Sequence, residues 1–158
     1  MIDHIYLPVS DLKRSSEFYK KVLEPLGIDM PYEVGQPPIR GFAINNIPGF
    51  WLKNGEVAKD LYVAFTANSA DAVRASYKAA IDAGATSNKE PSLRPEWRAD
   101  YFAANIGDPD GYNIEIAYKP LALQIKGTSH QGTRPRANAV AAGRTPGFKT
   151  RHVTDLAA

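Results

Sequence analysis

The chain has 158 residues, enough for one ordinary domain, with 44% hydrophobic and 23% charged residues, the balance of a soluble globular protein. No apolar run approaches the roughly 18 residues needed to cross a bilayer, and the absence of cysteine excludes disulfide scaffolds, thiolate metal sites and cysteine nucleophiles. No signal-peptide pattern precedes the first predicted strand, so we expect a cytoplasmic protein.

The formal net charge of +2 is unevenly distributed along the chain. Residues 1–120 carry a net charge of −3, which argues against a nucleic-acid-binding body. Residues 121–158 carry +5 and few large apolar side chains, so we predict a basic, disordered tail. Two interpretations of this tail stay open: a dispensable extension, or an electrostatic arm for RNA or another anionic surface.

Residues 1–55 predict a β-α-β-β-β module. An apolar strand over residues 1–9 is followed by Ser10-Asp11, residue types that cap helices. A helix with apolar residues at spacings of three and four follows, and Pro25-Leu26-Gly27 ends it. Three short strands are predicted over residues 29–34, 40–45 and 49–53.

The same order of elements recurs over residues 60–119 when the sequence is shifted by 58 positions, which places Tyr62 opposite His4. The later strands are predicted over residues 87–93, 101–106 and 112–118, and a Gly-Asp-Pro-Asp-Gly turn joins the last two. One such module would leave a sheet face open. We therefore predict an α+β domain over residues 1–120, in which two βαβββ modules form a curved, barrel-like sheet around a cleft, with the helices outside.

Three stretches of the sequence resemble a known family. They are Asp3-His4-Ile5 with the first helix, residues 60–85, and the run D-P-D-G-Y-N-I-E-I from Asp108. Together they resemble the vicinal oxygen chelate superfamily, the group of glyoxalases, bleomycin resistance proteins and extradiol dioxygenases. The resemblance covers roughly residues 1–119 and implies this fold and a homodimer. It does not imply one reaction, because a fold hosts many chemistries.

The resemblance also implies one divalent ion (Zn, Ni, Fe or Mn), held by His or Glu from the first and last strands of each module. His4 and Glu115 occupy two of these four positions as metal ligands, whereas Tyr62 and Trp51 stand at the other two. A neutral tyrosine is a weak ligand, since its ordinary pKa is about 10. Without a metal, burial would let Glu115 act as a general base, with His4 sharing the proton.

A second group of candidates surrounds the predicted cleft. Between the second helix and the last hairpin, Arg94 or Arg98 would clamp a substrate carboxylate and Trp97 would stack on a planar group. The alternative is a solvated loop. The predicted substrate-binding residues are Arg40, Trp51, Tyr62, Arg94, Trp97, Arg98 and Tyr101.

Two functions remain open from the sequence. The first is a glyoxalase-like enzyme that acts on a small oxygen-rich molecule by a proton-transfer isomerisation or a lyase step, with His4 and Glu115 catalytic. The second is a metal-free protein that binds or sequesters a small molecule, as in the bleomycin-resistance type. In both, the partner is a small molecule, and neither membrane nor nucleic acid is an expected partner of the body.

Overall fold

The β-α-β-β-β order occurs twice in the computed structural model, which describes residues 2–120. The predicted tail over residues 121–158 lies outside the described residues. In chain order the elements are β1 (Ile5–Val9), α1 (Leu12–Leu23), β2 (Asp29–Val34), β3 (Ile39–Ile44), β4 (Ile47–Asn54), β5 (Tyr62–Ala67), α2 (Ala70–Asp82), β6 (Thr86–Leu93), β7 (Phe102–Gly107) and β8 (Asn113–Tyr118). The predicted α+β fold of two modules is confirmed.

Each module forms its own four-stranded sheet. Sheet 1 has the order β1-β4-β3-β2 and sheet 2 the order β5-β8-β7-β6. In both, the first strand runs parallel to the fourth, and the other neighbours are antiparallel. The sheets curve but remain separate, so they do not form a closed barrel.

Both helices begin at capping residues that the sequence predicts. The Asp11 side chain accepts a hydrogen bond from the Arg14 amide at the start of α1, and Ser69 does the same for Ala72 in α2. An additional cap comes from β4, where Asn54 Oδ1 accepts from the Leu12 amide at 2.9 Å. These bonds satisfy amide groups that a helix N-terminus leaves without intrahelical partners.

Each sheet buries one face against the helices, here called the helix face, and the opposite side is here called the open face. The open face of sheet 2 is covered in part, since Tyr101, Ala103 and Ala117 form a second small buried cluster there. On β5, Val63, Phe65 and Ala67 are buried while the alternate residues are exposed, as a half-buried strand requires. One hydrophobic cluster contains residues of both helices and both sheets. Within it the rings of Phe50 and Phe65 lie 5.1 Å apart, so the two modules share a core.

The turn between β7 and β8 fastens the second module to the first. Asp110 accepts hydrogen bonds from the Ser10 amide at 3.0 Å, from the Ser10 hydroxyl and from the Arg14 guanidinium. Asp108 accepts from the buried Tyr19 hydroxyl at 2.7 Å. Burial by itself raises the pKa of Asp110, but the hydrogen bonds from Ser10 and the charge of Arg14 outweigh it and hold that pKa below its ordinary value.

Replacing Asp110 with Asn should lower the free energy of unfolding by about 2 kcal/mol, because a charged acceptor of three hydrogen bonds is lost. Urea denaturation measures this change. Because the pKa of Asp110 is lowered in the folded state, its contribution is present above the unfolded pKa and is lost as the pH falls through the folded value. The wild type should therefore lose stability below about pH 4 more steeply than the variant.

Asp82→Asn is the matched control, because Asp82 forms an exposed pair with Lys78 on one helix. An equal loss of stability in both variants would contradict the role given to Asp110.

Candidate functional site

A buried carboxylate lies at the centre of the open face of sheet 2. Glu115 on β8 is 8% exposed. Its Oε2 accepts a hydrogen bond from the Tyr62 hydroxyl and its Oε1 accepts one from the Tyr101 hydroxyl, both at 2.7 Å. The structure thus brings together three residues that the sequence singles out. Together with Asn105, they are called the carboxylate cluster.

Strand alternation and register place these side chains. Ile114 and Ile116 are fully buried in the core, so Glu115 between them points to the open face. Across the sheet, Glu115 pairs with Ala64 on β5 and with Asn105 on β7. Tyr62, two residues before Ala64, shares that face, and its long side chain reaches the carboxylate.

Asn105 is a member of the cluster that the sequence analysis missed. Its Nδ2 donates to the Tyr62 hydroxyl oxygen at 3.0 Å. Because the phenol oxygen accepts this bond, its single proton is free to point at Glu115. Counting outward from the predicted turn over residues 107–111 pairs residue 105 with residue 113, two positions from its observed partner Glu115 but on the same face of β8. Strand alternation was therefore the available signal, and it gave the face but not the register.

The two phenols of the cluster stay protonated at neutral pH. Burial raises the pKa of Tyr62 and of Tyr101, and the hydrogen bond to Glu115 raises both further. Asn105 and Arg94 act in the opposite direction on the pKa of Tyr62 but do not reverse the shift. Both tyrosines are therefore hydrogen-bond donors to the carboxylate.

Arg94 lies close enough to lower the pKa of both phenols, yet it is buried, with 3% of its surface exposed. Its guanidinium donates to the Ser92 hydroxyl and, at 3.3 Å, to the Glu90 carbonyl. Among residues 2–120 it forms no ion pair with a carboxylate. Arg94 therefore supplies positive charge beside the cluster.

His4 and Trp51 belong to the other sheet. His4 precedes β1, and its Nδ1 lies 2.7 Å from an Asp3 carboxylate oxygen. Trp51 pairs with Tyr6 in sheet 1 as Glu115 pairs with Ala64 in sheet 2. Since residues 6 and 64 correspond under the 58-residue shift, Trp51 stands in the first module where Glu115 stands in the second. No hydrogen bond among the described residues joins His4 to Glu115.

Three other predicted binding residues lie outside the cluster. Arg40 pairs with the buried Leu52, which places it on the helix face of sheet 1. Trp97 is 79% exposed. Arg98 pairs with Asp100 at the surface and donates to the Pro120 carbonyl. The structure does not bring these three side chains to Glu115.

The donor set of the cluster does not fit a divalent metal ion. Both oxygens of Glu115 already accept phenol protons, and Tyr62, at a position where the resemblance implies a histidine, is a neutral phenol. Within the part of the chain that the structure describes, no three His, Asp or Glu side chains gather as metal ligands. A divalent ion in such a site needs more anionic or imidazole ligands than the cluster offers.

The fold and sequence match a known family. The family model described as "Glyoxalase/Bleomycin resistance protein/Dioxygenase superfamily" matches residues 1–116. The chain therefore belongs to this superfamily, as the resemblance indicated. No protein of curated function matches the sequence significantly.

Solved structures of several bacterial proteins share this fold. A glyoxalase/bleomycin resistance protein from Albidiferax ferrireducens T118 is 25% identical, with a TM-score of 0.64 over 74% of this chain and 98% of that chain. A glyoxalase/bleomycin resistance protein/dioxygenase family enzyme from Burkholderia phytofirmans PsJN is 18% identical, with a TM-score of 0.57 over 74% of this chain and 97% of that chain. A mutant of the fosfomycin resistance protein FosX from Listeria monocytogenes is 17% identical, with a TM-score of 0.56 over 73% of this chain and 87% of that chain. That structure is a complex with Mn(II) and 1S,2S-dihydroxypropylphosphonic acid.

In residues 2–120 neither helix has the length and hydropathy needed to cross a membrane. The cytoplasmic location stays a prediction.

Replacing Glu115 with Gln should lower the pKa of Tyr62 and Tyr101 towards the ordinary value of about 10, because the anionic acceptor is removed while burial remains. Nuclear magnetic resonance of ¹³Cζ-labelled tyrosines, assigned with Phe variants, measures each titration. Tyr19 is the internal control, since burial and Asp108 raise its pKa and the substitution should not change it. Unchanged titration of Tyr62 and Tyr101 would show that Glu115 is not their acceptor.

Proposed function

We propose that this member of the superfamily binds a small molecule at the carboxylate cluster without a divalent metal ion. The observation that carries the proposal is the pair of 2.7 Å hydrogen bonds from Tyr62 and Tyr101 to Glu115. A buried carboxylate is costly unless it has hydrogen-bond partners. Here two neutral phenols supply those partners, in the place of a cation.

The cluster favours a ligand that donates hydrogen bonds. An ionised carboxylate offers about four acceptor positions, and the two phenols use two of them. Ala64, which pairs with Glu115 and is exposed, leaves space beside the carboxylate. Hydroxyl or amino groups of a small oxygen-rich molecule suit the remaining positions, and the positive charge of Arg94 suits an electron-rich group nearby.

A glyoxalase-like proton transfer is the second candidate function. The buried Glu115 carboxylate favours it, because a carboxylate can accept a proton. In an isomerisation, Glu115 would take a proton from a substrate carbon and return it to a neighbouring atom, so that no external reactant is consumed. His4, on the other sheet, stays a candidate for the second proton-carrying group. The two candidates differ in whether a product forms.

We also propose that two copies of the chain form a homodimer. Ile2, Ile44 and Ile47 are 78%, 50% and 75% exposed and line one groove of about 660 Å³. Clustered exposed apolar side chains mark interaction surfaces. We assign this groove to the second copy of the chain in the homodimer that the superfamily resemblance implies.

Compounds with hydroxyl or amino groups that raise the melting temperature of the wild type should not raise that of the Glu115→Gln variant. The control is Glu96→Gln, because Glu96 lies at the surface beside Lys89. In thermal-shift screening, stabilisation of the wild type should persist in the presence of a chelator. Stabilisation that requires added Mn(II) or Zn(II) and disappears on chelation would contradict the metal-free proposal.

Replacing Ile47 with Asp should convert a dimer into a monomer, because a charge in an apolar interface is unpaired and desolvated. Sedimentation velocity measures the mass in solution. Ile81→Asp, on the exposed side of α2 and away from that groove, should leave the dimer intact. A wild-type chain that sediments as a monomer at all concentrations would refute the homodimer.

A further inference from the structure

The open face of sheet 1 carries a row of aromatic rings that the carboxylate cluster does not use. His4, Tyr6, Trp51 and Tyr32 form it and are called the aromatic row. The Trp51 ring lies 6.1 Å from Tyr6 at an interplanar angle of 23° and 6.1 Å from Tyr32 at 34°. His4 meets Tyr6 edge-on at 5.4 Å. The three larger rings thus run across the sheet at similar inclinations.

The glycine at position 41 is part of this arrangement. Gly41 on β3 is the cross-strand partner of both Trp51 and Tyr32. A Cβ added there would lie 2.5 Å from Cζ3 of the indole, a distance that real side chains do not tolerate. Only glycine therefore lets Trp51 lie over the backbone of β3 in this position.

Core packing does not account for the row. Tyr6, Trp51 and Tyr32 lie outside the hydrophobic cluster that joins the helices to the sheets. Tyr6 is 45% exposed, and the other two are partly exposed. Adjacent aromatic rings at a surface offer stacking area to a flat partner, and each stacked pair contributes about 1 kcal/mol.

One end of the row is positively charged. Lys53 on β4 shares the open face with Trp51, and its Nζ lies 5.8 Å from the Tyr6 ring centroid. Among the ion pairs of residues 2–120, none includes Lys53. Its charge is thus available to an anionic group of a ligand that lies along the rings.

We propose that the aromatic row binds planar aromatic carboxylates, with the ring stacked on Trp51 and the carboxylate paired with Lys53. The surface of the aromatic rings favours a planar ligand, and the exposed ammonium group of Lys53 favours a ligand with a negative charge. Gly41 is the specificity-determining residue, because a side chain there would lift the indole off the sheet. This binding surface belongs to sheet 1 and does not depend on Glu115, so it goes beyond the function proposed above.

The test titrates the full chain with 2-naphthoate and follows the indole N–H signals of Trp51 and Trp97, assigned with Trp97→Phe. The Trp51 signal should shift and saturate while the exposed Trp97 signal stays in place. Decahydro-2-naphthoate has the same skeleton and charge but is not planar, and it should bind roughly tenfold more weakly because stacking is lost. Glu115→Gln should leave both affinities unchanged.

Two substitutions test separately the charge of Lys53 and the stacking surface of Trp51. Lys53→Gln should weaken 2-naphthoate roughly fivefold but leave uncharged 2-naphthalenemethanol unaffected, with Lys20→Gln on α1 as the matched control. Gly41→Ala should weaken both planar probes. Because Lys53 is exposed, its variant keeps the test valid if Gly41→Ala fails to fold.

Equal affinity for the planar and the saturated acid would overturn the proposal. A Trp51 signal that changes with protein concentration and not with 2-naphthoate would also overturn it, because a second copy of the chain would then cover the row.

Discussion

The burial of the Glu115 carboxylate is the constraint that organises sheet 2. A carboxylate with 8% exposure must find hydrogen-bond donors, and three residues on or next to the two strands β5 and β7 contribute to meeting this requirement. Tyr62 donates from the start of β5, Tyr101 from the entry to β7, and Asn105 fixes the direction of the Tyr62 hydroxyl. The resulting site is an anion held by neutral donors. Its chemistry is that of a hydrogen-bond acceptor, whereas a divalent ion would meet one carboxylate and two neutral phenols, a set too poor in anionic or imidazole ligands.

The duplicated fold uses equivalent positions for different chemistry. In sheet 2 the position beside the parallel strand pair holds Glu115, and in sheet 1 the same position holds Trp51. Likewise His4 and Tyr62 correspond under the repeat. One open face is therefore polar and centred on an anion, and the other is aromatic with a cation at its edge. The superfamily fold positions both faces, but their side chains determine what each face binds.

Local sequence patterns predicted the elements well, because periodicity, capping residues and turn residues act within a few positions. They did not fix which side chains meet. Arg40 and Gly41 are neighbours, yet a single step along a strand reverses the face, and Arg40 lies on the helix face. The 58-residue shift aligns the repeats through β6 and then fails, since a longer loop precedes β7. The bonds of Tyr62 and Tyr101 to Glu115 join residues 53 and 14 positions apart, which no local pattern encodes.

The most direct test of the central claim is anomalous X-ray diffraction from crystals grown with excess Mn(II). The account predicts no anomalous peak at Glu115 and both phenol oxygens within hydrogen-bond distance of its carboxylate. An ordered ion bound by Glu115 together with a histidine, with Tyr62 and Tyr101 turned away, would contradict it.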